Sequence, residues 1–107
     1  METQANAVCT FKDGILYVAV SGEIDHHSVR QLREEIDGSL YLYQPRVVML
    51  DLSGMRFMDS SGLGFIVGRL ENAKTLGGTL EITGASERVK KIFEMAGLLR
   101  TEGLIVR

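Results

Sequence analysis

Two short runs carry the side chains that could do chemistry. Asp59-Ser60-Ser61-Gly62 sets two hydroxyls behind a carboxylate, and Asp25-His26-His27-Ser28 sets two imidazoles beside another. Together they contain the residue types of a serine nucleophile, a histidine base and an acidic orienter. Their spacing does not favour that use. The G-x-S-x-G elbow is absent, because Met58 and Asp59 stand where its first glycine belongs. Neighbouring histidines at a helix start also point in different directions, so only one could serve such a centre. Hydrolysis through Ser60 or Ser61 therefore remains only as an alternative.

Metal and nucleotide chemistry find less support. His26 and His27 lack the i, i+4 spacing of helical metal ligands, and no Cys/His cluster completes them. Neither G-x-x-x-x-G-K-[ST] nor G-x-G-x-x-G occurs, and Gly62-Leu63-Gly64 is only a fragment of either. The expectation is no metal and no cofactor. Two readings of the serines stay open on the residues themselves. Short oxygen-bearing side chains at a helix start cap N–H groups that lack intrahelical partners. The same N–H groups, at the positive end of the helix dipole, also make a good seat for a phosphate.

The elements that must position these runs follow from periodicity. Val47-Val48-Met49-Leu50 is a short apolar run, as expected of a strand buried on both faces. Ser53-Gly54 is expected to end it, and Met55-Arg56-Phe57-Met58 to cross as a loop to the serines. Met55, Phe57 and Met58 in that loop could offer a protein-docking surface. From Leu63 the spacing turns helical, with Leu63, Ile66, Val67 and Leu70 on one stripe, and predicts a helix from about Ser61 to Leu76. Gly77-Gly78 stops it. Glycines 62, 64 and 68 inside it suggest close approach of another backbone or of a partner.

Upstream, Lys12-Asp13-Gly14 between residues 7–11 and 15–20 predicts a hairpin. The second of these strands is apolar on both faces, which places it inside the sheet. Asp25 is a natural N-cap for a helix with Val29, Leu32, Ile36 and Leu40 inward. Gly38 weakens that helix, and Pro45 stops it. Downstream, Thr79–Thr83 reads as a strand. Ser86 caps a third helix with Val89, Ile92, Phe93 and Ala96 inward, closed by Gly97. Leu104-Ile105-Val106 allows a last strand. The order β-β-α-β-α-β-α-β predicts a small α/β layer: a mixed sheet with a parallel centre and an antiparallel N-terminal edge, packed by three helices.

Composition narrows the classes. The 107 residues are expected to form one domain, with 45% hydrophobic and 24% charged residues and a formal charge of -2. No basic block suggests nucleic acid, no apolar run reaches the ~18 residues of a membrane span, and METQANAVCT has no signal-peptide layout. A cytoplasmic protein is expected. Cys9 excludes an internal disulfide and reads as a small core or edge residue.

Phe57-Met58-Asp59-Ser60-Ser61-Gly62-Leu63-Gly64 resembles the signature of the STAS domain family. Gly22-Glu23-Ile24-Asp25-His26-His27-Ser28 is similar to the G-E-[LI]-D-H-H-[ST] turn of its sporulation-type anti-sigma factor antagonists. Val89 to Leu98 resembles their V-x-[KR]-[IL]-F-x-[ML]-[SA]-G-L helix. The three fall in order and cover the chain from the first hairpin to Leu98. The resemblance implies an anti-sigma factor antagonist that is not an enzyme. Its unphosphorylated form would bind an anti-sigma factor that is itself a serine kinase, freeing the sigma factor. The kinase would phosphorylate Ser60, and a PP2C-type phosphatase would reverse this. Asp25, His26, Met58, Asp59, Ser61 and Gly62 would form the partner-binding lip, with Ser61 as the cap; both segments follow the carboxyl ends of adjacent parallel strands, so they are expected to meet on one edge. A STAS module of a stress-type partner-switching pathway is the alternative. Members of the sporulation group continue into a further C-terminal helix, whereas this sequence runs to Arg107.

Overall fold

The computed structural model describes residues 5–107. Strands β1 (Asn6–Lys12) and β2 (Ile15–Ile24) form the predicted hairpin around Asp13-Gly14. Three strand–helix–strand units follow: α1 (Val29–Tyr43) leads to β3 (Val47–Met58), α2 (Ser60–Thr75) to β4 (Thr79–Thr83), and α3 (Glu87–Met95) to β5 (Leu104–Val106). A short 3-10 turn, Leu98–Arg100, precedes β5. The sheet order is β1-β2-β3-β4-β5, antiparallel between β1 and β2 and parallel elsewhere. This is the mixed α/β sheet that the periodicity predicts.

The strand order never reverses, and that has a consequence for the layers. A right-handed crossover moving in one direction along a sheet always lays its helix on the same face. Leu16, Val18, Val20 and Ile24 of β2, Val48, Leu50 and Leu52 of β3, and Leu80 and Ile82 of β4 are buried with Leu32, Ile36, Leu40, Phe65, Ile66 and Phe93 of the helices. Among the described residues no helix covers the opposite face, and the short axis measures only 19 Å. Tyr17 is 45% exposed there. The sequence expectation of strands covered on both faces is therefore corrected: β2 and β3 are interior by hydrogen bonding, but each is buried on one side only. The apolar residues on the bare side had suggested otherwise.

Helices α1 and α3 keep most of the predicted inward stripes, with Val29 and Ile92 half-buried and Ala96 exposed at the end of α3. Gly38 does not end α1, which continues to Tyr43. Gln44 closes it in the left-handed region (φ 45°), donating its N–H to Leu40 O at 2.8 Å, and Pro45 prevents another turn. Ser86 caps α3 as expected, accepting from Val89 N–H at 3.2 Å.

The larger correction concerns β3. Ser53-Gly54 does not terminate it, and residues 55–58 are strand rather than loop. Strand β2 also runs past its expected end at residue 20 and pairs with β3 as far as Ile24 opposite Met58. Ala19 pairs with Asp51 but Ser21 with Gly54, and Gly22 with Met55 but Glu23 with Phe57. Thus β3 carries two extra residues as bulges, which bend and twist a strand without ending it. Gly54 fits because a Cβ there would lie 3.1 Å from Ser21 Cβ and 3.2 Å from Val20 O.

Candidate functional site

The extension of both strands places the chemistry. With Ile24 and Met58 paired, the chain leaves β2 and β3 side by side, and Asp59 donates its N–H to Ile24 O at 3.2 Å. The turn at 25–28 and the start of α2 therefore meet at one edge of the sheet, at the carboxyl ends of adjacent parallel strands. This is the juxtaposition expected from the sequence.

Each segment is set by its own aspartate. Asp25 Oδ1 accepts from His27 N–H at 2.9 Å and Ser28 N–H at 3.0 Å. The Ser28 hydroxyl closes the turn by donating to Glu23 O at 2.8 Å. Asp25 thus organises the turn ahead of α1, whose N-cap position falls to Ser28. The hydrogen bond from Ser28 N–H, aided by that from His27, holds the Asp25 carboxyl below its usual range. His26 and His27 are exposed, with ring centroids 3.9 Å apart.

At α2 the cap is Asp59 rather than Ser61. Its Oδ1 accepts from Ser61 N–H at 2.8 Å, satisfying one donor that the first turn leaves without a partner. Ser60 becomes the first helical residue. Its side chain is exposed, and its hydroxyl makes no hydrogen bond to another described residue. Ser61 is half-buried. Freed from capping, the Ser60 hydroxyl faces solvent at the positive end of a 16-residue helix.

Burial divides the expected lip into a surface and its support. Asp25, His26, Asp59, Ser60 and Ser61 reach solvent wholly or in part. Met58 is only 8% exposed, which corrects its expected place on the lip, and Gly62 is also buried. A Cβ at Gly62 would collide with Met58 Cγ and Sδ, so the missing side chain is what lets the first turn of α2 rest on Met58. Gly64 and Gly68 have nothing within 4 Å of a Cβ position, so no element of the fold explains them. Phe57, expected in a loop that could dock a protein, lies on β3 and is exposed. The strand alternation that turns it outward was hidden by the bulges.

Elsewhere the structure offers little to chemistry. Among the described residues, no group of three or more His, Cys, Asp or Glu side chains could hold a metal. No described helix is long and apolar enough to cross a membrane. Burial raises the Cys9 thiol pKa, partly opposed by a hydrogen bond with Ser39, so the reactive thiolate is disfavoured.

The STAS domain model matches residues 6–105, nearly the whole chain. The chain belongs to the STAS domain family. An anti-sigma F factor antagonist from Paenibacillus polymyxa is 36% identical over 87 residues, 81% of this chain and 74% of that protein. An anti-sigma-B factor antagonist from Staphylococcus aureus is 34% identical over 93 residues, 87% of this chain and 85% of that one. The crystal structure of an anti-sigma factor antagonist from Mycobacterium paratuberculosis superposes with a TM-score of 0.79 at 26% identity, covering 94% of this chain and 85% of the other. The family and the mixed sheet with three helices both agree with the resemblance seen in the three sequence motifs. In this STAS domain, the D-S-S-G run is a capped helix start at an exposed sheet edge.

Proposed function

We propose that this STAS domain is a non-enzymatic, cytoplasmic anti-sigma factor antagonist controlled by phosphorylation of Ser60. The unphosphorylated form binds an anti-sigma factor that is also a serine kinase, and so releases the sigma factor. The kinase's ATP supplies the phosphoryl group: a bond forms between Ser60 Oγ and the γ-phosphorus as the bond to ADP breaks, and the hydroxyl proton passes to the kinase's base. A PP2C-type phosphatase restores the hydroxyl by hydrolysis. The observation that carries this reading is the exposed Ser60 hydroxyl at the start of α2, with Asp59 taking the cap.

Electrostatics support the switch. A phosphate adds about −1.5 to −2 charges at a helix start, where the fold tolerates it. In a contact face shared with Asp25 and Asp59, the same group must shed water against two like charges, which opposes docking. Asp25, His26, Asp59, Ser61 and the exposed Gly64 would meet the partner, with Met58 and Gly62 supporting them from beneath.

Incubation with a sporulation-type anti-sigma kinase and ATP, followed by mass-spectrometric mapping, should find phosphate on Ser60. Modification at Ser61 alone, or none, overturns the assignment. The 34% identity to an anti-sigma-B factor antagonist favours a second reading, a stress-type partner. Phosphorylation by a stress-type kinase and not by the sporulation type would select it. Ester or nucleotide turnover lost in Ser60→Ala would instead support an enzyme.

A further inference from the structure

Beside the serine motif, the last residues of β3 and the N-terminal half of α3 enclose a groove of about 70 Å³. Met55, Met58, Val89 and Ile92 give it an apolar floor, and Arg56 and Arg88 stand on its walls. Small-molecule sites typically measure ~300–1,000 Å³, so this groove has room for a single aliphatic side chain rather than for a cofactor. Both arginines are exposed, and neither comes within ion-pair distance of an acidic group among the described residues. Glu87, the acidic residue next to Arg88, is engaged with Lys90 at 3.9 Å.

Groove and serine share a structural member. Met58 lines the groove and also underlies Gly62 in the first turn of α2. Met58 and Phe57, both in the groove lining, stand two and three residues before Ser60, so the groove lies close to that hydroxyl along the chain. We infer that the groove is a second docking point for the anti-sigma partner and takes one of its segments in which an aliphatic side chain is flanked by carboxylates. The aliphatic group fills the apolar floor, and the carboxylates meet Arg56 and Arg88. This inference rests on the proposed function. It adds a basic subsite to a lip whose fixed charges, Asp25 and Asp59, are acidic. The opposite charges of the two subsites would fix the direction in which the partner lies.

The test uses the full chain and a sporulation-type anti-sigma kinase. Arg56→Glu with Arg88→Glu should lower the association rate at least tenfold and flatten its salt dependence, because rim charges act mainly on encounter. The melting temperature should stay unchanged, since both side chains are exposed. A photo-crosslinking benzophenone amino acid at Phe57, which also lines the groove, should label a kinase peptide carrying Leu, Ile, Val or Met beside Asp or Glu. Normal association by the double variant, or label only on a basic or distant peptide, overturns the groove while leaving the Ser60 switch intact. No binding and no phosphorylation of the unaltered protein overturns the switch, and the groove inference falls with it.

Discussion

Removal of the Asp37 carboxylate should cost more than removal of the arginine it faces. Arg69 on α2 is 4% exposed, and its Nε lies 2.9 Å from Asp37 Oδ1 on α1. The N–H does not point at that oxygen: Arg69 Nε and Nη1 and Asp37 Oδ1 lack hydrogen-bond partners among the described residues. The attraction is therefore between charges at close range. Burial lowers the Arg69 pKa, and Asp37 opposes that shift. An arginine does not escape by losing its proton. Asp37→Ala thus leaves a buried cation with the Phe65 ring, 5.3 Å from its centre, as remaining company. Breaking a buried pair costs ~3–5 kcal/mol, and the ring contact, present before and after the substitution, does not offset it, so a loss of at least about 3 kcal/mol is expected. Arg69→Met keeps the apolar stem and leaves a carboxylate whose side chain is 21% exposed and open to water. Its cost should be about 1 kcal/mol. For a domain of this size each kcal/mol lowers Tm by roughly 4–8 °C. Thermal and urea unfolding should therefore rank Asp37→Ala well below Arg69→Met. Equal losses, or a greater loss for Arg69→Met, would refute the reasoning.

Other outcomes follow from the same packing. Ser60→Asp should weaken partner binding in a pull-down or titration yet shift Tm by only a few degrees, because an acid at the first helical position is favourable by ~0.3–1 kcal/mol while Asp59 repels it. Gly62→Ala gains about 1 kcal/mol of helix propensity but drives a methyl into Met58, an overpacking of ~1–3 kcal/mol, so urea unfolding should show a net loss. Gly38→Ala, with open space around its Cβ, should raise stability by about 1 kcal/mol. Gly64→Ala should raise it similarly while reducing kinase binding, which separates a helix effect from a contact. Asp25 has a lowered folded pKa, so its contribution is complete above the unfolded aspartate range and is lost as pH falls through the folded value. Acid titration followed through the His27 and Ser28 amide signals should show the turn loosening at that pH, and Asp25→Ala should abolish the transition.

The elements that sequence showed best were those with an unambiguous period. The α1 stripe of Leu32, Ile36 and Leu40, the Asp-Gly hairpin and the Ser86 cap needed no tertiary information. What escaped was set by partners distant in sequence. Ser53-Gly54 has the composition of a strand end, but β2 lies alongside and supplies hydrogen-bonding partners, so the irregularity becomes a bulge. The bare face of the sheet follows from a strand order that no local pattern encodes. At the site, adjacency of the two aspartate turns was legible because both follow parallel strands. The choice of Asp59 over Ser61 as cap was not, because either composition suits that position. Met58 was misplaced for the same reason as the bulge: a residue read as loop was read as exposed.

These differences bear on how a single charge can act without unfolding the domain. Had Ser61 or Ser60 been the cap, modifying the motif would have disturbed the hydrogen bond that starts α2. With Asp59 in that role, the bond to Ser61 N–H lies apart from the Ser60 hydroxyl, and α2 would keep its first turn if Ser60 were phosphorylated. The turn is further braced by Met58 below Gly62 and by the Asp59 N–H bonded to Ile24 O. Under the proposed switch, binding and folding would fall to neighbouring but different atoms. A phosphate on Ser60 would change the field at the edge, while the sheet, the cap and the packing beneath it continue to hold the same geometry.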